Sequence, residues 1–275
     1  MAGLPARFVS LLRRLPRLAV AFSGGLDSRF LCHAALLCGC DVLAIHARGP
    51  HIPQAETSLA QAWAQDRGLA LMTLEYSPLI WPEVARMDKQ RCYACKRGLV
   101  SLVRKALSDN GDAKNRILCD GTNADDLKSY RPGLRALTEG GVRSPLAEVG
   151  LAKSDVREAA RKSGLDQPEQ RARPCLLTRF SYGVAPDVTL LQRLDAAETA
   201  LAALSVNGHE ALGDFRLRLT PAPLLHARCL PKELLGRIKQ LLEQFGFSHC
   251  ICVETAHVSG FFDRSRADGM VSDGR

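Results

Sequence analysis

The residues with the most chemical content are the run Ser23-Gly-Gly-Leu-Asp-Ser28 and three cysteines, Cys92, Cys95 and Cys175. In the run, Gly24 and Gly25 follow a short apolar stretch, Leu18–Phe22, and precede the helical pattern Phe30-Leu31-Ala34-Ala35-Leu37. Glycines let the backbone approach an anion closely and adopt positive φ. The free amides and dipole of a first helical turn then favour a phosphate at that point. Ser23 and Ser28 can donate hydroxyl hydrogen bonds, and Asp27 can help hold a magnesium ion on a pyrophosphate. The spacing is neither the Walker pattern, which needs Gly-Lys-Ser/Thr, nor the dinucleotide Gly-x-Gly-x-x-Gly. Cys92 and Cys95 form a Cys-x-x-Cys, which suits zinc or redox work as well as other metal chemistry. Asp120, Gly121 and Asp126 follow a strand end, where nucleotide or metal contacts are expected, although Asp125 and Asp126 are also the residues that cap a turn.

Strands alternating with helices position these groups. Strands are expected at Leu18–Phe22, Asp41–His46, Leu69–Leu74 and Arg116–Asp120, with helices at Thr57–Arg67 and Arg97–Asn110 between them. This order implies a parallel sheet covered on both faces, an α/β class, with ligands beyond the C-terminal strand ends. The Cys-x-x-Cys and Cys175 are placed in loops of the same domain. Ser154–Ser163 reads as a helix with Ser154 as N-cap and Gly164 as its stop. Beyond Pro186 the texture changes to an Ala- and Leu-rich helix (Leu190–Leu204), a strand (Phe215–Leu219), a helix (Pro231–Phe245) and a strand (Cys250–Glu254). The division expected is a nucleotide domain over 1–184, a smaller α+β domain over 185–264, and a mobile polar tail over 265–275.

Composition narrows the class. The 275 residues are 46% hydrophobic and 24% charged, as in an ordinary globular protein, and no apolar run approaches the ~18–20 residues that cross a membrane. The formal charge of +8 points to a polyanionic partner, but the basic residues are scattered, so nucleic acid is not indicated. Arg7, Arg13, Arg14 and Arg17 fall in an amphipathic first helix rather than a targeting segment. Ten cysteines without a signal peptide imply thiols in the cytoplasm, some of them free for metal or sulfur chemistry. Cys32, Cys38, Cys40 and Cys119 sit in apolar stretches and read as small core residues.

The phosphate loop resembles that of the PP-loop ATP pyrophosphatase superfamily, whose hallmark is Ser-Gly-Gly-x-Asp-Ser. Further stretches narrow the resemblance: Arg91-Cys-Tyr-Ala-Cys-Lys96, Asp120-Gly-Thr-Asn-Ala-Asp-Asp126 with Tyr130-Arg-Pro-Gly133, Ser144-Pro-Leu with Gly150-Leu-Ala-Lys-Ser-Asp-Val-Arg157, and Cys175-Leu-Leu-Thr-Arg179 with Tyr182-Gly183. Over approximately residues 15–200 the chain resembles the LarE family of sulfur transferases, which build the nickel-pincer cofactor. The resemblance implies ATP and Mg2+ as cofactors and adenylation of a carboxylate on a pyridinium dicarboxylate mononucleotide, with release of pyrophosphate. A protein-bound sulfur then attacks the acyl adenylate, since AMP turns a carboxylate oxygen into a leaving group. It further implies either a sacrificial Cys175 or a [4Fe-4S] cluster on Cys92, Cys95 and Cys175, whose fourth iron stays open for a sulfide. Asp27 and Asp126 are the magnesium candidates by the same reading, and Arg179 steadies the adenylate or a substrate phosphate. Lys128 and Arg131 are weaker phosphate candidates. Glu198, Arg216 and Arg218 fall where the family places substrate-domain residues, although exposed charges on a helix and a strand would be unremarkable. The family also implies a homo-oligomer. The physiological sulfur donor is left open.

The C-terminal part departs from the family pattern. His226-Ala-Arg-Cys-Leu-Pro231 has Cys229 where a glutamate is usual, and Val258-Ser-Gly260 replaces an Arg-Ser-Gly. Losing a carboxylate and a guanidinium should alter charge recognition, which bears on the substrate more than on the ATP chemistry. Two other functions are consistent with the motifs. A tRNA thiolation enzyme would shift bulk tRNA with a steep salt dependence. A non-catalytic nucleotide or iron–sulfur binding protein would release no pyrophosphate.

Overall fold

A computed structural model describes residues 3–128, 131–206, 208–220, 222–258 and 261–264. Tyr130, Ser259, Gly260 and the tail 265–275 lie outside the described residues. The chain forms two compact units, one of residues 1–84 with 90–174, the other of residues 85–89 with 175–275.

The first unit opens with α1 (Ala6–Arg13), β1 (Arg17–Ala21), α2 (Leu26–Leu37), β2 (Asp41–Arg48), α3 (Gln54–Asp66) and β3 (Ala70–Glu75). It continues with α4 (Pro82–Ala85), whose last residue falls in the other unit, then α5 (Arg91–Asp109), β4 (Ile117–Cys119), α6 (Pro132–Glu139), α7 (Pro145–Glu148) and α8 (Lys153–Lys162). Its four strands are all parallel, in the order β3-β2-β1-β4. Strand side chains alternate between faces, and the alternation here fills two cores. Leu18, Val20, Ala44 and Cys119 join the cluster built on α1, α2, α3 and α8, whereas Ala19, Ile45 and Leu118 join the cluster under α5 and α6. Within α2, Phe30, Leu31, Ala34 and Ala35 are all fully buried, and Phe8 of α1 stacks on Phe30 at 5.8 Å. Burial of each such phenylalanine contributes about 1.5–3 kcal/mol. The helix carrying the phosphate loop is therefore held from both its own sheet and its neighbours.

Two readings of local structure are corrected. Cys92 and Cys95 are not in a loop but in the first turns of α5, which begins at Arg91. The apolar period starts only at Leu99, so the polar opening of the helix carried no periodic signal. Ser154 does not cap α8. The N-cap is Ala152, and the Asp155 carboxylate turns back to accept its N–H at 2.9 Å.

The second unit contains α9 (Val188–Ala202), the short pair β5 (Ser205–Val206) and β6 (His209–Glu210), β7 (Phe215–Thr220), β8 (Ala222–Ala227), α10 (Leu235–Gln244), β9 (Ile251–Glu254) and α11 (Phe261–Arg264). β7 and β8 are antiparallel and β9 adds parallel to β8. Asp187 caps α9 by accepting the Leu190 N–H at 2.7 Å. No helix among the described residues is long and apolar enough to cross a membrane.

Candidate functional site

Strand order places β1 between β2 and β4, so the chain leaves β1 and β4 side by side at a topological switch point, where open parallel sheets bind ligands. A cavity of about 280 Å³ lies there. The phosphate loop after β1 contributes Ser23, Gly25, Asp27 and Ser28, and the segment after β4 contributes Asp120, Gly121, Thr122 and Asp126. Leu99 and Val103 of α5 with Leu137 and Val142 give it an apolar wall, and Lys96 and Arg131 add two cations. One side thus suits phosphates and the other a flat heterocycle.

The loop is built by its own hydroxyls. The Ser23 N–H meets Ser28 Oγ at 3.3 Å, the two serine hydroxyls are 3.2 Å apart, and the Gly25 N–H meets Ser23 Oγ at 3.3 Å. Gly24 has φ +75°, and a Cβ there would stand 2.8 Å from the Ala60 side chain, so only glycine fits. Ser28 is buried and Asp27 sits in the first turn of α2.

Asp27 is engaged by a residue for which the sequence reading offered no role. Lys153 Nζ donates to both Asp27 carboxylate oxygens, at 2.8 and 2.7 Å. Burial nevertheless pushes the Asp27 carboxyl above the ordinary aspartate range, Lys153 pulls it back, and the Asp126 charge adds to the upward push. Asp126 is itself paired with Arg131 Nη1 at 2.7 Å and accepts the Asn123 N–H at 3.1 Å. The neighbouring carboxylates of Asp27 and Asp126 are therefore flanked by two cations, Lys153 and Arg131, along the polar side. Two carboxylates within electrostatic reach of each other are the donor set a divalent cation takes.

Asp120 lines the cavity with its oxygens already occupied. It accepts Thr122 N–H at 3.2 Å, Thr122 Oγ1 at 2.6 Å and Ser144 Oγ at 2.7 Å, which fixes the turn after β4. Gly121 passes close to the phosphate-loop helix, where a Cβ would be 2.8 Å from Ser28 N. Asp125 anchors α8 by accepting the Lys153 N–H at 2.9 Å and pairs with Lys128 at 2.8 Å. Of the weaker phosphate candidates, Arg131 reaches the cavity and Lys128 does not line it.

Cys92 and Cys95 stand one turn apart on α5, Cys92 exposed and Cys95 half-buried. That helix is pinned by Tyr76, whose hydroxyl donates to the Cys95 carbonyl at 2.6 Å, and by Gly98, where a Cβ would come within 2.2 Å of Trp81 Nε1. Among the described residues no group of three or more His, Cys, Asp or Glu side chains is gathered for a metal ion.

In the second unit Cys175 opens a tight turn, Leu176–Arg179. Its carbonyl accepts Thr178 N–H at 3.1 Å, Thr178 Oγ1 at 2.8 Å and Arg179 Nη1 at 3.3 Å. Arg179 is 3% exposed and forms a two-point pair with Glu198 at 3.0 and 2.8 Å. Glu198 also accepts the Leu217 N–H at 2.9 Å, so one largely buried carboxylate joins the Cys175 turn to α9 and β7. Arg216 pairs with Asp214 at 2.6 Å. Burial, then the nearby Arg179 charge, lower its pKa. Arg218 donates to His226 Nδ1 at 3.2 Å and to the Val258 carbonyl, and its guanidinium lies over the Phe261 ring at 4.9 Å. Glu198, Arg216 and Arg218 are buried or largely so, rather than the exposed charges their positions allowed. Cys229 is exposed.

No family model matches the chain. It is 32% identical over 252 residues to an uncharacterised protein of Synechocystis sp., covering 91% of this chain and 93% of the relative. It is also 32% identical over 208 residues to the pyridinium-3,5-bisthiocarboxylic acid mononucleotide synthase of Lactiplantibacillus plantarum, covering 74% of each chain. An uncharacterised protein of Methanocaldococcus jannaschii is 30% identical over 186 residues, 67% of this chain and 69% of the relative.

Proposed function

The chain belongs to the LarE family of sulfur transferases, represented by the L. plantarum synthase, and on that premise we propose that it adenylates a carboxylate of a pyridinium dicarboxylate mononucleotide and replaces the activated oxygen with sulfur. The observation that carries the reading is the cavity at the β1/β4 switch point, with a phosphate loop and paired acids on one side and an apolar wall on the other.

In this reading the substrate carboxylate attacks the α-phosphorus of ATP, forming the acyl adenylate as pyrophosphate leaves. The Ser23–Ser28 amides and hydroxyls, with Lys96 and Arg131, offset the charge that develops on the departing pyrophosphate. Asp27 and Asp126 would hold a magnesium ion, which supplies Lewis-acid stabilisation of the phosphates when bound. Lys153 favours the ionised form of Asp27 against burial and aims its carboxylate. A sulfur nucleophile then bonds to the acyl carbon, and AMP departs with one original carboxylate oxygen.

The chain's own sulfur source is Cys175, which on donating its sulfur loses the Cβ–S bond and its Cα proton and becomes dehydroalanine. A [4Fe-4S] cluster on Cys92, Cys95 and Cys175 would instead supply a sulfide on its iron without a protein ligand. Arg179, held under the Cys175 turn, and Arg216 are the groups proposed to meet the substrate's phosphate and adenylate charge, with Glu198 setting Arg179. A cytoplasmic homo-oligomer acting in nickel-pincer cofactor biosynthesis completes the proposal.

Anaerobic purification with iron and sulfide counts separates the sulfur sources. Iron in the wild type that is lost in Cys92→Ala supports the cluster. A protein without iron after reconstitution, which gains a dehydroalanine mass at Cys175 on turnover, supports the sacrificial route. Neither iron nor any Cys175-dependent product would overturn both.

A further inference from the structure

Residues 165–174 contain no helix or strand, yet this segment is bound tightly to the phosphate-loop helix. Arg29, the residue after Ser28, is 3% exposed and commits its whole guanidinium to it. Nη1 donates to Asp166 O at 3.2 Å and Oδ2 at 3.1 Å, and Nη2 donates to Gln167 O at 3.2 Å. Nε and Nη2 both reach Gln170 Oε1, at 3.2 and 2.9 Å. Asp166 in turn accepts Trp63 Nε1 at 3.0 Å and Arg67 at 2.5 Å, which locks the segment to α3.

Arginine only donates, so the amide oxygen of Gln170 must face it. The amide nitrogen is thereby turned the other way, and it donates to the Gly24 carbonyl at 3.3 Å. The Gly24 carbonyl and the Gly25 N–H belong to one planar trans peptide and point in opposite directions. Gly24 packs against Ala60 of α3, while Gly25 lines the cavity. A peptide between two glycines rotates at little steric cost. Turned over, it would present a carbonyl instead of an N–H to a phosphate.

We propose that Gln170 is a positioning residue of the ATP site. Its amide holds the Gly24 carbonyl while Ser23 Oγ accepts the Gly25 N–H at 3.3 Å on the opposite side, so the N–H faces the cavity, where a nucleotide phosphate would share or replace the Ser23 contact. This rests on the ATP reading above. It also ties the segment that runs directly into Cys175 to the phosphate loop, through Gln170 and Gly24, while Arg173 pairs separately with Glu56 of α3 at 2.7 Å.

The test is calorimetric titration of the full chain with MgATP, pyrophosphate and AMP, alongside thermal melting, for wild type, Gln170→Glu and Gln170→Met. Gln170→Glu keeps an acceptor for Arg29 but cannot donate to Gly24. Gln170→Met removes both bonds without adding charge. The expected result is a loss of about tenfold in ATP and pyrophosphate affinity in both variants, with AMP affinity nearly unchanged. Gln170→Glu should melt at or above the wild-type temperature. A merely structural Gln170 predicts wild-type ATP affinity in Gln170→Glu, and equal loss for all three ligands with a lower melting temperature in Gln170→Met. Either pattern overturns the proposal while leaving the ATP reading intact. A wild type that binds neither ATP nor pyrophosphate overturns both.

Discussion

Replacing Lys153 by Met should destabilise the protein in a way that depends on pH. Lys153 Nζ lies within 2.8 Å of both Asp27 oxygens, and the two side chains are 29% and 23% exposed. At about 4 Å and an effective dielectric near 20 the bare attraction is about 4 kcal/mol. Partial exposure and the desolvation of both ions reduce the net to about 1–2 kcal/mol. Methionine keeps the aliphatic stem, so the loss is electrostatic. Asp27 has a folded-state pKa above its unfolded value, so its own contribution is favourable in acid and is lost as the pH rises through the folded pKa. Lys153 offsets that loss only while Asp27 is ionised. The gap between wild type and Lys153→Met should therefore be smallest in acid, where Asp27 is protonated, and widen as the pH rises through its raised folded-state pKa. Urea unfolding at a series of pH values measures it. In an Asp27→Asn background the same substitution should cost little, which completes a double-mutant cycle. A gap that is independent of pH, that widens toward acid, or that survives in the Asp27→Asn background would refute the pairing argument.

Three further outcomes follow from the same geometry. Asp27→Asn should leave unfolding free energy within about 1 kcal/mol of wild type, because the ionised carboxylate sits at a desolvation cost, while MgATP affinity measured by calorimetry falls at least tenfold. Gly98→Ala should lower stability by about 1–3 kcal/mol in chemical denaturation, because its Cβ would meet the Trp81 indole nitrogen and push on the helix carrying Cys92 and Cys95. Glu198→Gln should cost about 3 kcal/mol or more, since it removes the charge paired with the buried Arg179 guanidinium, whereas breaking an exposed pair such as Lys162–Glu158 should leave stability unchanged within error.

Local signals made the first unit readable. The apolar run ending at Phe22, the two glycines and the amphipathic pattern from Phe30 correspond to β1, the loop and α2, and the strands near residues 41, 70 and 117 follow the same logic. What the sequence hid depends on distant pairing. Lys153 meets Asp27 across 126 residues and Gln170 meets Gly24 across 146, and no periodicity marks either partner. Lys153 lies inside a stretch that resembles the family, but its type and spacing alone did not indicate a role. Asp120 was legible as a residue at a strand end, but not as one whose oxygens are spent on Thr122 and Ser144. The Cys-x-x-Cys reads as a loop because its helix opens on Arg, Cys and Lys and its buried positions there are Arg91, Ala94 and Gly98, with the large apolar side chains that mark a helix beginning only at Leu99. In the second unit the alternation of Arg216 and Arg218 on one strand face was visible, but their burial was not, because the cover comes from Glu198, Asp214 and Phe261.

The central claim is activation of a carboxylate by cleavage of ATP between its α- and β-phosphates. It is tested most directly by incubating the anaerobically purified chain with MgATP and the pyridinium dicarboxylate mononucleotide, then measuring AMP, pyrophosphate and the product's mass. The account predicts pyrophosphate and AMP in equal amounts, dependent on the carboxylate and abolished in Asp27→Ala, with one carboxylate oxygen of the product replaced by sulfur. Release of ADP and phosphate, or pyrophosphate release indifferent to both the carboxylate and Asp27, would contradict it.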